Sequence, residues 1–321
     1  VTPPPVIDGA ALAFASTRRD YEQWNPTAGD LGLNRQKRID AEKKLTAYYV
    51  VNRTTVESAK YVVEAAYAIA KMKQAVGDTG YRAWFKSTVA AWDSYKASAP
   101  QANGVSDAQQ SPYVDHAAEA DFTLLDERIS ADYDAPARHG YGPTVEDIFG
   151  ELATGPITKA PLRSADGRLV FKRKGKYALN AAETEKWDLQ LDAFVKKYQS
   201  REWVPVAIER QGRLYDALRS GLAGVVITGS PRNRDFFRKK REQELDGANA
   251  VMVRRYATAV AAGLAFKIKN ERLEHALARL GYYTAVLGDD AMDRFVASTP
   301  DPATRGATRL TYRNQQYVQP P

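Results

Sequence analysis

The chain has 321 residues, enough to bury a large core in one extended domain or in two to three compact ones. It has no cysteine, which excludes disulfides, thiolate nucleophiles and Cys-ligated zinc or iron–sulfur sites. Its 46 basic and 39 acidic residues leave a net charge of +7, a mild surplus without the dense stripe of a dedicated nucleic-acid binder.

No run approaches the roughly 18 consecutive apolar residues of a membrane span. The start Val-Thr-Pro-Pro-Pro has neither initiator Met nor signal peptide. It fits a processed mature chain, or one trimmed at its end, and the first reading predicts a periplasmic or cell-envelope location. Residues 1–34 are expected to form an extended arm. Pro3, Pro4 and Pro5 favour polyproline geometry, 10–21 has room for one short helix, and Tyr21 and Trp24 pin the arm to the body.

A helical-repeat domain is expected over 35–299. Residues 35–52 read as its first helix. Thr54 or Thr55 caps a second that runs to Val76, with Ala59, Val62, Val63, Ala66, Ile69 and Ala70 on a small-residue face. Gly77-Asp78-Thr79-Gly80 stops it, and 81–97 forms a bulkier helix with Tyr81, Trp84, Phe85, Thr88 and Trp92 on one side. The short turn predicts an antiparallel pair. Residues 100–112 read as a loop, 113–133 as a helix and 134–143 as a breaker, followed by a short helix over 144–152 capped by Thr144.

Between 155 and 180 the pattern changes. Asp166-Gly167 is the best short hairpin signal in the chain, so a small β-hairpin or irregular insertion is expected there. Asn180 then caps a helix over 181–199 with Trp187, Leu191, Phe194, Val195 and Tyr198 on its apolar stripe. Residues 203–222 form the next helix, 223–231 a loop, and 235–268 a helix with a break expected near Gly247. Helices over 271–287 and 290–298 close the domain, and 300–321 reads as an extended polar tail.

One helix has an internal echo. Ala207-x-x-Arg210-x-Gly212 returns as Ala276-x-x-Arg279-x-Gly281. A glycine inside a helix costs about 1 kcal/mol against alanine, so its recurrence at the same offset points to close helix approach. Ala207, Gly212, Tyr215, Ala276 and Gly281 are therefore the expected helix-packing positions. The helix over 203–222 is expected to lie against 181–199 and 248–266, with Arg210 at an edge.

These residues resemble a family. Gly212 with Tyr215 is similar to the Gly-x-x-Tyr element of a tetratricopeptide first helix, and Leu280-Gly281 to its Leu-Gly step. Gly77-Asp78-x-x-Tyr81-x-Ala83-Trp84 looks like the turn and second-helix start of such a repeat. Residues 113–291 resemble long tetratricopeptide-type proteins of myxobacterial cell envelopes, some linked to gliding motility. The segments that carry this are YVDHAAEADFTLLDE, WVPVAIERQGRLYDALRSGL, MVRRYATAV and LARLGYYTAVLGD. The resemblance implies an all-α fold of antiparallel helical pairs stacked as a solenoid that binds protein partners. The helices are longer than standard units and the 155–180 insertion breaks the period, so an irregular solenoid is expected.

No catalytic residue, metal ligand or cofactor site stands out. His116, His139 and His275 are scattered, and Asp115 and Glu119 beside His116 read as a solvated helix start. GVVITGSP at 224–231 lacks the Gly-Lys-Ser/Thr ending of a phosphate loop, and no Gly-x-Ser-x-Gly occurs. Two basic runs remain: Lys172-Arg173-Lys174-Gly175-Lys176, and Arg232, Arg234, Arg238, Lys239, Lys240 and Arg241 interleaved with Phe236 and Phe237. Such a mixture grips phosphates and stacks bases, attracts anionic lipid, or simply forms a solvated face. Arg210 and Arg279 are expected to pair with carboxylates on adjoining helices or to face a ligand.

The expected function is that of a non-enzymatic scaffold or structural subunit joining protein partners, as a homo- or hetero-assembly, in a cell envelope or extracellular structure. The alternatives are a nucleic-acid-binding accessory protein using segments 172–176 and 232–241, and an enzyme whose site gathers scattered Asp, Glu, Tyr and Arg.

Overall fold

The computed structural model describes residues 9–296 except 103–104, 143, 158–159, 168–169 and 229–230, and excepting the side chains of 102, 105–106, 136, 232–233 and 296. The proline-rich start, the tail from 300 and the side chain of Arg232 lie outside the described residues. The chain divides into two compact units, Val1–Glu127 with Lys197–Trp203 and Arg128–Lys196 with Val204–Pro321.

In the first unit, the short helix expected over 10–21 forms, and Tyr21 and Trp24 pack on the body as expected. Helix α1 (Gly9–Gln23) buries Phe14 against Tyr48 and Tyr61, at centroid distances of 5.1 and 5.2 Å. Asn25 then caps a short 3-10 turn by accepting from Thr27 N.

Helices α2 (Gly32–Asn52), α3 (Ala59–Ala75) and α4 (Tyr81–Ser98) follow. Ala41, Leu45, Val62, Ala65, Ile69 and Met72 form one core with Phe14 and Trp24. A second cluster joins Ala70 of α3, Phe85 of α4 and Ala120 of α6 (Tyr113–Asp132). The small face of α3 lets the bulky side of α4 close on it, as the sequence predicts, and the Gly77 turn folds the pair back on itself. Thr54 and Thr55 do not cap α3 directly, because a 3-10 turn over Val56–Ser58 intervenes.

The expected loop at 100–112 is shorter than predicted. It contains β1 (Gln101–Ala102) paired with β2 (Val105–Ser106), and one helical turn, α5 (Asp107–Gln110). Residues 197–203 complete this unit: Tyr198 Oη donates to Asp121 at 2.7 Å, and Ser200 Oγ donates to Asp115 at 2.5 Å.

In the second unit, α7 (Pro136–His139) is a single turn within the expected breaker. Helix α8 (Val145–Phe149) begins with a capping box: Thr144 Oγ1 accepts from Asp147 N, and Asp147 accepts from Thr144 N. The chain then leaves helix earlier than expected. Residues Gly150–Leu152 form β3, which pairs antiparallel with β4 (Phe171–Lys174) in the register Gly150↔Lys174. Gly150 is required there, since it sits at φ +104 and a Cβ would stand 2.1 Å from Arg173 O. A strand pair thus forms at the expected insertion, but its first strand lies before 155, and the Asp166-Gly167 turn falls inside the connection between β3 and β4 rather than joining them directly.

Helix α9 (Lys176–Tyr198) starts four residues before the expected cap. Asn180 lies inside it, buried, with its side-chain amide donating to Arg138 O at 2.8 Å. Its polarity serves a tertiary bond rather than a helix start. Helices α10 (Trp203–Ala223), α11 (Pro231–Phe266), α12 (Glu271–Leu287) and α13 (Asp289–Val296) complete the unit. No break occurs at Gly247. Helix α11 runs through it for 36 residues, about 54 Å at 1.5 Å per residue.

Helix α10 is the core element of this unit. Twelve of its 21 residues are buried, so it has almost no solvent face. Pro205 is tolerated because it lies in the first turn, where its missing N–H costs nothing. Gly212 lets the ring of Tyr256 on α11 lie against the backbone, where a Cβ would stand 2.6 Å from the ring.

Candidate functional site

A helix buried on all sides should be apolar, yet α10 buries Glu209, Arg210, Gln211 and Asp216. Buried charges persist only when paired and hydrogen-bonded. Each of the four is tied to a different neighbour. Glu209 accepts from His275 Nδ1 of α12 at 2.6 Å, with Arg272 Nη1 3.9 Å away. Arg210 Nη2 donates to Asp134, just past α6, at 2.7 Å. Gln211 Nε2 donates to Asp192 at 2.6 Å and to Asp188 O at 3.1 Å, both on α9.

Asp216 is the most heavily solvated by protein. Arg279 of α12 donates Nε to its Oδ2 at 2.7 Å and Nη2 to its Oδ1 at 2.8 Å. Tyr283 Oη donates to Oδ1 at 2.6 Å and Tyr256 Oη to Oδ2 at 3.1 Å. With Ser220 Oγ donating to Oδ1 at 3.3 Å, five donors fill the acceptor capacity of the carboxylate. Burial acts to lower the Arg279 pKa, but the hydrogen bonds and charge of Asp216 outweigh it and the net shift is upward. Burial and the Asp216 charge push the Tyr283 hydroxyl up to about 12 and hold Tyr256 protonated as a donor.

On the opposite side, Arg255 of α11 donates to Asp188 at 2.7 Å. Burial raises the Asp188 carboxyl above its ordinary range despite that guanidinium. These contacts tether α10 to the helices around it. The internal echo has a structural meaning here. Ala207 and Ala276 are both fully buried, and Arg210 and Arg279 both reach an aspartate at 2.7 Å. Arg210 is not at an edge, being 1 % exposed. Tyr215 packs on the α11–α12 core and points its hydroxyl to Asp188, whereas Gly281 is only half-buried.

The other predicted residues lie elsewhere in the same unit. Lys172, Arg173 and Lys174 are exposed on β4, with Lys172 Nζ 3.1 Å from Glu151. Arg234, Arg238 and Lys239 are exposed on α11. Lys239 lines a cleft of about 860 Å³ together with Lys240, Gln243 and Glu244 of α11, Phe171 of β4, and Arg163 and Gly167 of the β3–β4 connection, which with its strands is called the β-arm. The segment 232–241 thus meets the β-arm here, but no residue of 172–176 lines the cleft, and neither do Arg234 and Arg238.

The two phenylalanines divide their roles within this region. Phe237 is buried and stacks on Phe149 at 5.8 Å, while Phe236 is 39 % exposed and lines the cleft. Lys240 is held by Glu244 at 2.9 Å, and Arg163 Nη1 donates to Gly167 O at 2.6 Å within its own turn. Lys239 has no hydrogen-bond or ion-pair partner among the described residues.

The histidines do not assemble. His116 stacks on Tyr67 at 4.2 Å, Asp115 is taken by Ser200, and Glu119 by Tyr67 and Lys71. His116 is thus part of a packed face rather than a solvated helix start. His139 Nε2 meets Tyr133 O at 2.9 Å. Among the described residues no group of three or more His, Asp or Glu is placed to hold a metal ion.

Several residues were not singled out in the sequence: Asp216, Tyr256, Tyr283, Glu209, Asp134 and the Asp188–Arg255 pair. The available signal was a carboxylate spaced like an apolar residue. Asp216 lies four residues from Gly212, on the face that meets α11.

The described chain is mostly helical, with two two-stranded antiparallel sheets. No described helix is long and apolar enough to cross a membrane. No protein-family model, curated protein or solved structure matches the chain.

Proposed function

We propose that this chain is a non-enzymatic helical scaffold whose pairs stack in an irregular, tetratricopeptide-like manner, and that it binds a protein partner in a cell-envelope or extracellular assembly. The partner segment is an acidic peptide with an aromatic side chain, seated in the cleft between the β-arm and α11. The observation that carries this reading is the pairing of the exposed Phe236 ring with the unpartnered Lys239 ammonium on one wall. An aromatic anchor beside a cation suits a peptide that supplies both an apolar ring and a carboxylate. The extensive tethering of α10 supports a fixed shape, which lowers the ordering cost of binding.

The same chemistry gives the second reading its footing, since Lys239, Lys240 and Phe236 also suit a single-stranded nucleic acid. Fluorescence anisotropy on the full chain separates them, using a labelled Glu/Asp-rich peptide containing Trp and Phe, a labelled oligo-dT and vesicles containing phosphatidylserine. Peptide binding that weakens at least tenfold in Phe236→Ser and Lys239→Glu supports the scaffold reading. Oligo-dT binding without peptide binding, with a steep salt dependence, replaces it by the nucleic-acid reading. Vesicle binding alone, or no binding at low salt, overturns both.

A further inference from the structure

A second recess in the same unit, independent of the cleft, has a volume of about 310 Å³. Its lining includes Asp134, Arg210, Arg213, Asp216, His275 and Arg279. Residues 210, 213, 217 and 220 follow one another at helical spacing, so α10 presents them on one face. Arg210 is committed to Asp134 and Arg279 to Asp216. Arg213 is half-buried and has no hydrogen bond or ion pair to any described residue. A half-buried guanidinium on the wall of a recess, with its donors uncommitted, is suited to a planar anion.

We infer that this recess binds a carboxylate group, with Arg213 as the residue that takes it. The charge balance selects the ligand. With His275 engaged by Glu209, the three guanidinium groups and two carboxylates of the lining leave one positive charge. A monoanion neutralises it, whereas a phosphate dianion would stand beside Asp134 and Asp216 in excess. A planar carboxylate also matches the fork of a guanidinium in a way that a tetrahedral anion need not. The wall behind Arg213 is already fixed, because the tyrosines and Arg279 around Asp216 hold one another. The volume lies at the small end of ligand pockets, so the occupant is a small carboxylate or the carboxylate end of a chain.

The test is a titration of the 15N-labelled full chain, followed through its arginine Nε–H signals. Propionate, a tetrapeptide with a free C-terminus, the same tetrapeptide as its amide, and inorganic phosphate are added separately. The inference expects one arginine signal to shift saturably with propionate or the free-acid peptide. It expects that shift to be lost in Arg213→Gln and affinity to fall at least tenfold in Arg213→Lys, which keeps the charge without the fork. Because Arg213 holds no other residue, both variants keep the wild-type melting temperature. A free-acid peptide that outcompetes propionate while its amide is silent assigns the carboxylate to a chain end. Equal binding of propionate and the peptide assigns it to a small molecule. No saturable shift, an unchanged response in Arg213→Gln, or phosphate binding more tightly than either carboxylate overturns the site.

Discussion

Arg279 of α12 grips Asp216 of α10 through two parallel bonds, Nε to Oδ2 at 2.7 Å and Nη2 to Oδ1 at 2.8 Å. The pair is not the end of the chain of contacts, since Tyr256 and Tyr283 close on the same carboxylate from α11 and α12. Replacing Asp216 by Ala leaves Arg279, two tyrosine hydroxyls and the Ser220 hydroxyl without this acceptor. Breaking one side of a fully buried pair costs about 3–5 kcal/mol, and the partial exposure of Arg279 reduces this to about 2–3 kcal/mol. Tyr256→Phe removes one bond and costs about 1 kcal/mol. Urea denaturation of the two variants checks the order, and a smaller loss in Asp216→Ala than in Tyr256→Phe would contradict it.

Gly212 and Gly247 are both helical, yet opposite outcomes are expected for alanine. At Gly247 a Cβ meets nothing within 4 Å, so Gly247→Ala gains the helix-propensity difference of about 1 kcal/mol. At Gly212 the new Cβ stands 2.6 Å from the Tyr256 ring, which is fully buried and tethered to Asp216. The ring has nowhere to go, and overpacking of about 1–3 kcal/mol exceeds the same propensity gain. Gly212→Ala is destabilising and Gly247→Ala stabilising, read as midpoint shifts of opposite sign in thermal melts.

Burial of His116 contributes a loss of stability on mild acidification. Burial lowers its pKa from 6.5, opposed by the charges of Glu119 and Asp115 and assisted by Arg18. Above 6.5 both folded and unfolded forms are neutral, and the full stability is present. As pH falls from 6.5 through the lower folded value, the unfolded chain takes up the proton first and stability is lost. His139 acts in the same direction through burial, against the pull of the Tyr133 carbonyl. His116→Phe keeps the stacked ring but does not titrate. Between pH about 7 and about 5 its urea midpoint falls less than that of the wild type. Parallel curves for the two proteins would rule out His116 as the source.

The helices were legible because their apolar spacing is regular, and the α3–α4 pair follows from small residues, a Gly turn and bulky residues in succession. The turn inside the β3–β4 connection was legible from Asp166-Gly167. The start of α9 was not, because Asn180 has the chemistry of a cap and only the tertiary contact to Arg138 O shows its use. The division into two units was hidden for a related reason. Segment 197–203 joins the first unit through Tyr198–Asp121 and Ser200–Asp115, contacts about 80 residues apart in sequence that no local pattern reveals. The echo at Arg210 and Arg279 located the polar hub, but Asp216 was invisible because a lone aspartate on an amphipathic helix usually faces water.

Phe236 and Phe237 are adjacent, and only one of them holds the fold. Phe237 is 5 % exposed and lies in a cluster with Val145, Ile148, Phe149, Tyr177 and Leu222. Phe237→Ala removes the stacking on Phe149 and opens a cavity, at a cost of about 3–5 kcal/mol. Phe236 is 39 % exposed with its ring on the cleft, so Phe236→Ala stays within about 0.5 kcal/mol of the wild type. In the acidic-aromatic peptide assay the order reverses. Phe236→Ala loses binding with its fold intact, whereas Phe237→Ala loses binding only to the extent that it unfolds. Anisotropy and circular dichroism on the same samples separate the two effects. If Phe236→Ala binds the peptide like the wild type, the ring is not the anchor, and the cleft's selectivity rests on Lys239 and its charge alone.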